Sequence, residues 1–335
     1  MKPSRKWLVS ACVIGALSSV SAISQAKQVE VHDPVMAKEG DTYYVFSTGP
    51  GIPYYSSKDM EHWKKAGKVF KTEPKWARRV APDFDGHLWA PDVIHHNGKF
   101  YAFYSVSAFG QNTSGIGVSI NKTLDPNSKD YQWVDQGIVL ESVPNRDNWN
   151  AIDPAVTFDD DGTPWMSFGS FWGGLKLVKL DPSLTRIAEP EEWYNLAHRD
   201  PKESPPDAIE APFIFKKNGY YYLFASFDLC CRKMDSTYNI RVARSKDIKG
   251  PYLDKDGKSM MDGGGSLVLK GNKNWVALGH NGAYTFNGKD YLVFHAYETA
   301  DNGMQKLRIL KMGWKNDWPT VNPKDLDRNT TELVR

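Results

Sequence analysis

One phrase occurs five times along this 335-residue chain, and it constrains the fold more than any other feature. Asp33-Pro34-Val35-Met36 leads through Gly40 to Thr42–Thr48, and Ala90-Pro91-Asp92-Val93 leads through Gly98 to Lys99–Ser105. Asp153-Pro154-Ala155-Val156 leads through Gly162 to Pro164–Ser170, and Glu210-Ala211-Pro212-Phe213 through Gly219 to Tyr220–Ser226. His280-Asn281-Gly282-Ala283 leads through Gly288 to Asp290–Ala296. Each phrase reads as a short apolar strand, a tight glycine turn, and a second strand rich in aromatic and β-branched residues. The turn glycines step by 58, 64, 57 and 69 residues, 62 on average, the length of a four-stranded unit with generous loops. Such a unit buries its faces only against its neighbours, which requires radial stacking. The expectation is an all-β, five-bladed β-propeller. Strong helical periodicity is absent, and Glu191–His198 is expected to form one short helix in a loop.

Residues 1–26 stand apart. A basic start with Lys2, Arg5 and Lys6 is followed by a mostly apolar run, Trp7–Leu17, and then by small residues up to Ala26. That order is the pattern of a secretory signal peptide, and the run is too short to span a bilayer comfortably. The expected organisation is a signal peptide over 1–26 and one catalytic propeller over 27–335, secreted or periplasmic. Formal net charge is +2, and the three cations of the leader leave the remainder near −1. No electrostatic footprint for nucleic acid is present, and no later stretch approaches the ~20 apolar residues of a membrane span. The three cysteines, Cys12, Cys230 and Cys231, cannot make a disulfide scaffold or a four-thiolate zinc site. Cys230 and Cys231 are adjacent, and the short distance between consecutive Cα atoms favours two buried thiols over a bridge.

In a propeller the first strand of each blade lines the central channel, so the phrase starts Asp33, Asp92, Asp153, Glu210 and His280 converge on one cavity. Acids gathered in such a place need a proton, a cation or a substrate to offset them. Paired carboxylates flanking a bond are the equipment of glycoside hydrolysis, one as acid and the other activating water or attacking directly. An aromatic content of 13% suits a sugar, whose C–H faces stack on Trp, Tyr and Phe.

At these residues the sequence resembles glycoside hydrolase family 43, in the version of the endo-1,5-α-L-arabinanases. The resemblance is carried by His32-Asp33-Pro34, Trp89-Ala90-Pro91-Asp92, Asn150-Ala151-Ile152-Asp153-Pro154, Ser170-Phe171-Trp172, Glu210-Ala211-Pro212-Phe213 and Gly279-His280-Asn281-Gly282, with Ser236–Ile240 and Arg244-Ser245 adding to it. It implies an inverting hydrolase of plant cell-wall arabinan or arabino-oligosaccharides. Asp33 matches the general base, Glu210 the general acid, and Asp153 the third acid that tunes and orients Glu210. Asp92 matches a structural acid. An exo-acting α-L-arabinofuranosidase or β-xylosidase of the same family is the alternative activity, and a non-catalytic sugar-binding propeller is the alternative from another class.

The resemblance also implies the subsite lining. His32 adjoins the base, Trp89 floors the reaction centre, and Phe109 walls a further subsite. Gly115 is placed where backbone approaches the sugar. Asn150, Ala151 and Ile152 rim the same pocket, and Ser170, Phe171 and Trp172 face it. His280 is placed beside a calcium ion held mostly by water, with a structural or tuning role; no organic cofactor is expected.

Overall fold

A computed structural model describes residues 27–200, 202 and 207–334, and the signal-peptide reading of residues 1–26 lies outside them. Five sheets, each four or five strands wide, follow one another along the chain in the order the phrases predict. Blade 1 runs through Val35–Glu39, Thr42–Phe46, Pro53–Ser57 and His62–Lys68, and blade 2 through His87–His96, Lys99–Val106, Ser114–Asn121 and Val134–Ser142. Blade 3 is Ala155–Phe158, Pro164–Phe168, Leu175–Lys179 and Trp193–Ala197; blade 4 is Ile209–Lys217, Tyr220–Phe227, Asn239–Ser245 and Ser266–Lys270. Blade 5 comprises Trp275–Phe286, Lys289–Glu298, Met304–Lys315 and Trp318–Thr320. The architecture is a five-bladed β-propeller.

The inner hairpins form where the sequence carries the right turn residues. Asn97-Gly98, Asn218-Gly219 and Asn287-Gly288 have φ of 47° and 72°, 49° and 71°, and 50° and 73°. Two consecutive positive φ values match the right-handed twist of the flanking strands, and Asn followed by Gly adopts them with little strain.

The segment expected as a helix, Glu191–His198, is instead the outer strand of blade 3. Trp193 and Tyr194 pair with Val178 and Leu177 in antiparallel register. Two aromatics half-buried on a pleated surface gain more from the sheet than from a lone turn of helix.

Each seam between blades holds its own core. Phe46, Tyr54, Leu88 and Phe100 pack between blades 1 and 2, and Phe103, Val118, Met166 and Phe168 between blades 2 and 3. Leu177, Leu196, Ile214 and Leu223 fill the next seam, and Phe224, Val242, Leu292 and Phe294 the one after. The fifth seam joins blade 5 to blade 1 through Val45, Trp63, Val293 and Leu307. The chain ends clasp that seam. Leu307 N–H donates to Val29 O at 2.9 Å, Val29 N–H to Thr331 O at 2.8 Å, and Glu332–Leu333 adds a parallel edge strand beside His62–Trp63. Among the described residues, no helix is long and apolar enough to cross a membrane.

Candidate active site

The channel mouth is built by a latch repeated around the ring. At the start of each blade one residue takes a left-handed backbone conformation: Asp33 (φ 51°), Ala90 (43°), Asp153 (59°), Ala211 (54°) and His280 (50°). Four of these amides donate to a side chain at the end of the preceding blade's second strand. Ala90 N–H reaches Thr48 Oγ1 at 2.8 Å, Asp153 N–H reaches Ser105 Oγ at 3.1 Å, and His280 N–H reaches Ser226 Oγ at 2.7 Å. At the ring closure Asp33 N–H donates to His295 Nδ1 at 3.1 Å. The fifth amide, that of Ala211, donates to Asp153 Oδ2 at 3.1 Å, while Ser170 Oγ, the hydroxyl that ends the blade 3 phrase, donates to Glu210 Oε2 at 2.5 Å. Positive φ at non-glycine residues is unfavourable by roughly 1–3 kcal/mol each, and interblade hydrogen bonds offset it. The same kink breaks register in the inner strands of blades 2, 4 and 5, between Trp89 and Asp92, Glu210 and Phe213, and Gly279 and Gly282. A bulge of that kind re-aims side chains, and here it stands at the residues with the chemistry.

Asp33, Asp153 and Glu210 are all buried, at 6%, 5% and 8% exposure. Asp33 is enclosed by positive or donor groups. His32 Nδ1 lies 2.9 Å from its Oδ2, His280 Nδ1 3.1 Å from its Oδ1, and Thr48 Oγ1 donates to Oδ2 at 2.5 Å. Burial alone would raise its pKa; the charge and hydrogen bonds of His280 and His32 outweigh burial and hold the carboxyl well below the usual range. Burial likewise opposes the charge on His32, yet Asp33 pulls its pKa above the ordinary histidine value. Burial pushes the His280 pKa down, against the pull of Asp33, whose Oδ1 lies 3.1 Å from its Nδ1. His295 accepts at Nδ1, so its proton is on Nε2, which is buried without a partner among the described residues.

The other two acids behave oppositely. Burial raises the pKa of Asp153 well above the ordinary value, and the neighbouring Glu210 and Asp33 push it the same way. Burial also raises Glu210, but Ser170 and Tyr238 donate to its two oxygens and restrain the rise. Asp153 and Glu210 form one coupled pair whose protons belong to the pair. The site therefore sets a carboxylate held ionised in the same channel as a carboxyl pair that retains a proton. That is the division needed for base and acid at once.

The other expected lining residues are held by specific contacts. His32 stacks on His295 with ring centroids 4.2 Å apart and lies 3.3 Å from Tyr297 Oη. Trp89 is half-buried one residue before a latch position. Phe109 is 81% exposed, so its ring packs in no core. Asn150 is fixed through its Oδ1, which accepts from Ser114 Oγ at 2.6 Å, and Ile152 N–H folds back on Asn150 O at 2.9 Å. Phe171 and Trp172 follow Ser170 with φ of 55° and 43°, and Phe171 N–H donates to Ile209 O beside Glu210.

Two lining expectations are corrected. Ala151 is fully buried in the core between blades 2 and 3, and its amide donates to Ser142 Oγ, so its methyl packs instead of rimming the pocket. Gly115 is buried in blade 2; a Cβ there would stand 3.1 Å from the Trp76 ring and 3.2 Å from Val80. Its lack of a side chain makes room for that packing. Arg244, part of the matched sequence, stacks on Tyr220 and Trp318 and donates to Asp317 O, outside the acid cluster.

The two cysteines are also corrected: Cys230 and Cys231 form a disulfide, and both are at least partly exposed. Cys231 N–H donates to Tyr297 Oη at 2.8 Å, and its sulfur lies 3.7 Å from His32 Nε2. Asp92 is buried at 2% exposure and accepts from Val156 N–H at 2.8 Å, tying blade 2 to blade 3. That position fits a structural acid.

Sequence reasoning missed Tyr238, His295, Tyr297 and the latch hydroxyls. Thr48, Ser105 and Ser226 were readable in principle, since each ends a repeated phrase. Tyr238 had a fainter signal. A Cβ at Gly279 would fall 2.2 Å from its ring, so the glycine before His280 makes room for the tyrosine that touches Glu210.

For calcium the donors here are a poor cage. His32, Asp33 and His295 bring ligand atoms within 4.8 Å of one another, and His280 adds another imidazole; Asp33 is the one carboxylate among these four. Calcium takes six to eight oxygens, so these residues would hold it only with most of its water in place.

The comparisons with known proteins agree with this geometry. The family model for Glycosyl hydrolases family 43 matches residues 26–319. An extracellular exo-α-(1→5)-L-arabinofuranosidase of Cellvibrio japonicus is 62% identical over 327 residues, covering 96% of this chain and 94% of that one. An extracellular endo-α-(1→5)-L-arabinanase of Bacillus subtilis is 43% identical over 294 residues, 87% of each chain. A solved structure of Cellvibrio cellulosa α-L-arabinanase complexed with arabinohexaose superposes with a TM-score of 0.88 at 61% identity, covering 92% of this chain and all of that one. With the repeat, the latched acids and the matched motifs in agreement, the chain belongs to glycosyl hydrolase family 43.

Proposed function

We propose that the protein is an extracellular hydrolase that removes short products from the ends of α-1,5-linked L-arabinan, with inversion at the anomeric carbon. The observation that carries the exo reading is the 62% identity, over 96% of the chain, to a relative named as an exo-acting arabinofuranosidase. The arabinohexaose bound to a 61% identical neighbour supports the substrate class, and the names of two relatives as extracellular support export.

In this reading Asp33 is the base. Its carboxylate stays ionised among His32, His280 and Thr48, and it takes a proton from the water that attacks the anomeric carbon. Glu210 is the acid; it gives its proton to the departing glycosidic oxygen while Ser170 and Tyr238 hold the carboxyl in place. Asp153, on the amide of Ala211 next to Glu210, shares the pair's proton and keeps Glu210 from ionising too early. Inversion needs room for one water between base and sugar, with carboxyls roughly 6.5–9.5 Å apart. A calcium ion near His280 would add positive charge beside Asp33; no step depends on it.

Internal cleavage is the second reading. It is favoured by the motif match to endo-acting enzymes and by the 43% identical relative named as one. Digesting linear arabinan separates the two. End removal yields one short product from the first minutes while viscosity falls slowly. A ladder of oligosaccharides with rapid loss of viscosity would overturn the exo reading.

A further inference from the structure

The loop that delivers Asp153 has a second side. Residues 143–150 leave the outer strand of blade 2, and Asn150 enters the acid cluster, while Asn148 and Trp149 border a groove of about 640 Å³ along the seam with blade 3. Trp193, Tyr194, Asn195 and Lys176 form its other wall. We infer that this groove is an accessory binding site for a neutral oligosaccharide chain, in keeping with the arabinan reading on which it rests.

The lining is a sugar-binding set. Trp149 and Trp193 present half-buried rings with centroids 5.3 Å apart, tilted by 35°. Such rings suit the apolar faces of sugars, while a few fixed polar groups orient the hydroxyls. The Trp193 indole N–H is held by Glu191 at 2.7 Å, which fixes that ring. The Trp149 indole N–H is buried and donates to nothing among the described residues.

Lys176 is the second, independent observation. It is 8% exposed, and its ammonium donates to Gly173 O at 2.9 Å and Asn195 Oδ1 at 2.7 Å. No carboxylate pairs with it among the described residues, and burial pushes its pKa down. A buried ammonium with two neutral acceptors keeps one N–H uncommitted. A hydroxyl oxygen of a bound chain would satisfy it.

Charge points to a neutral ligand. Arg146 is committed to Asp147 at 2.7 Å and reaches Glu141 at 3.8 Å. With Glu191, the lining holds three acids against two cations. An anionic chain would meet no surplus of positive charge.

The groove is joined to the catalytic site through backbone. Gly173 N–H donates to Asn148 O at 2.6 Å, so the loop that carries Phe171 and Trp172 is fastened to the loop that carries Asn150 and Asp153. A polymer seated in the groove would thus be held beside the mouth, whereas a trisaccharide would have no need of it.

The test compares soluble linear arabinan with arabinotriose. Trp193→Ala and Lys176→Met should each raise KM for the polymer about fivefold to tenfold while leaving kcat/KM for arabinotriose within about twofold. Unchanged polymer KM would overturn the site, and so would parallel losses on both substrates, which mark a structural role. If Trp193→Ala fails to fold, Lys176→Met decides alone, because a methionine of similar length fills the same space. Wild-type inactivity on both substrates would instead refute the arabinan reading and this inference with it.

Discussion

The hydroxyl of Tyr238 should set the alkaline limit of activity. It is buried, and burial together with Glu210 keeps it protonated, so it acts as a donor to Glu210 Oε1. A donor aimed at a carboxylate stabilises the ionised form. Removing it in Tyr238→Phe takes away a charge-assisted hydrogen bond worth about 1.5–3 kcal/mol, and 1.36 kcal/mol is one pKa unit. The acid works while Glu210 is protonated, so activity falls as pH rises through its pKa. Tyr238→Phe raises that pKa, and the alkaline limb of kcat/KM should move to higher pH by roughly one to two units. Asp153→Asn should do the reverse. It removes the coupled anion, keeps an acceptor for Ala211 N–H, and lets Glu210 ionise more readily, so the limb moves to lower pH. Initial rates on arabinotriose across pH 4–9 read both shifts. A limb that stays in place in both variants, or moves the same way in both, would refute the assignment of Glu210 as the acid.

Glu210→Gln and Asp33→Asn should each lower kcat on arabinan by about 10²–10⁴-fold with circular dichroism unchanged, since each removes one proton-transfer group. Proton NMR early in the reaction should show the β anomer first, because Asp33 activates water instead of attacking; an α product would mean retention. Phe109→Ala should raise KM roughly threefold to tenfold and leave the melting temperature in place, because the ring is 81% exposed and supports no core. Asp92 has its pKa raised to about 7 by burial, above the unfolded value, so its contribution is full below pH 4 and is lost as pH rises toward 7. A shift near three units corresponds to about 4 kcal/mol; urea titrations at pH 5 and pH 8 should show a smaller difference in Asp92→Asn than in the wild type.

The propeller was legible because its information is periodic. Five strand–turn–strand phrases at a 62-residue step report the same local solution five times, and hairpin turns such as Asn97-Gly98 and Asn287-Gly288 are local chemistry. The acids were legible for the same reason, since Asp33 and Asp153 occupy matching places in the phrase and Glu210 stands one residue before the matching Ala211. What failed to show was tertiary. Glu191–His198 carries no turn signal that separates strand from helix, and the sheet edge of blade 3 decides the matter. The adjacent cysteines carry no sign that blade 5 offers Tyr297, and the start of blade 1 offers His32, to the loop that bears them. Gly115 and Ala151 sit inside motif-like stretches, yet the Trp76 ring and the core between blades 2 and 3 dictate those residues.

The latch explains why one repeat can hold three carboxyls in different states. Each blade start has the same kinked backbone, which carries Asp33, Asp153 and His280 on the kinked residue itself and Glu210 on the residue just before the kinked Ala211. The difference lies in what the preceding blade offers. Ser105 takes only the amide of Asp153 and leaves its carboxyl to an amide and a neighbouring acid, so its pKa is raised and the pair it forms with Glu210 retains a proton. In place of a small hydroxyl residue, blade 5 offers His295, while His32 and His280 flank the same carboxyl, so Asp33 is kept ionised. At blade 4 Ser170 turns from an amide to Glu210 itself and, with Tyr238, sets how far that carboxyl rises. One architecture thus supplies the placement, and single side chains at the end of the neighbouring strand supply the charge.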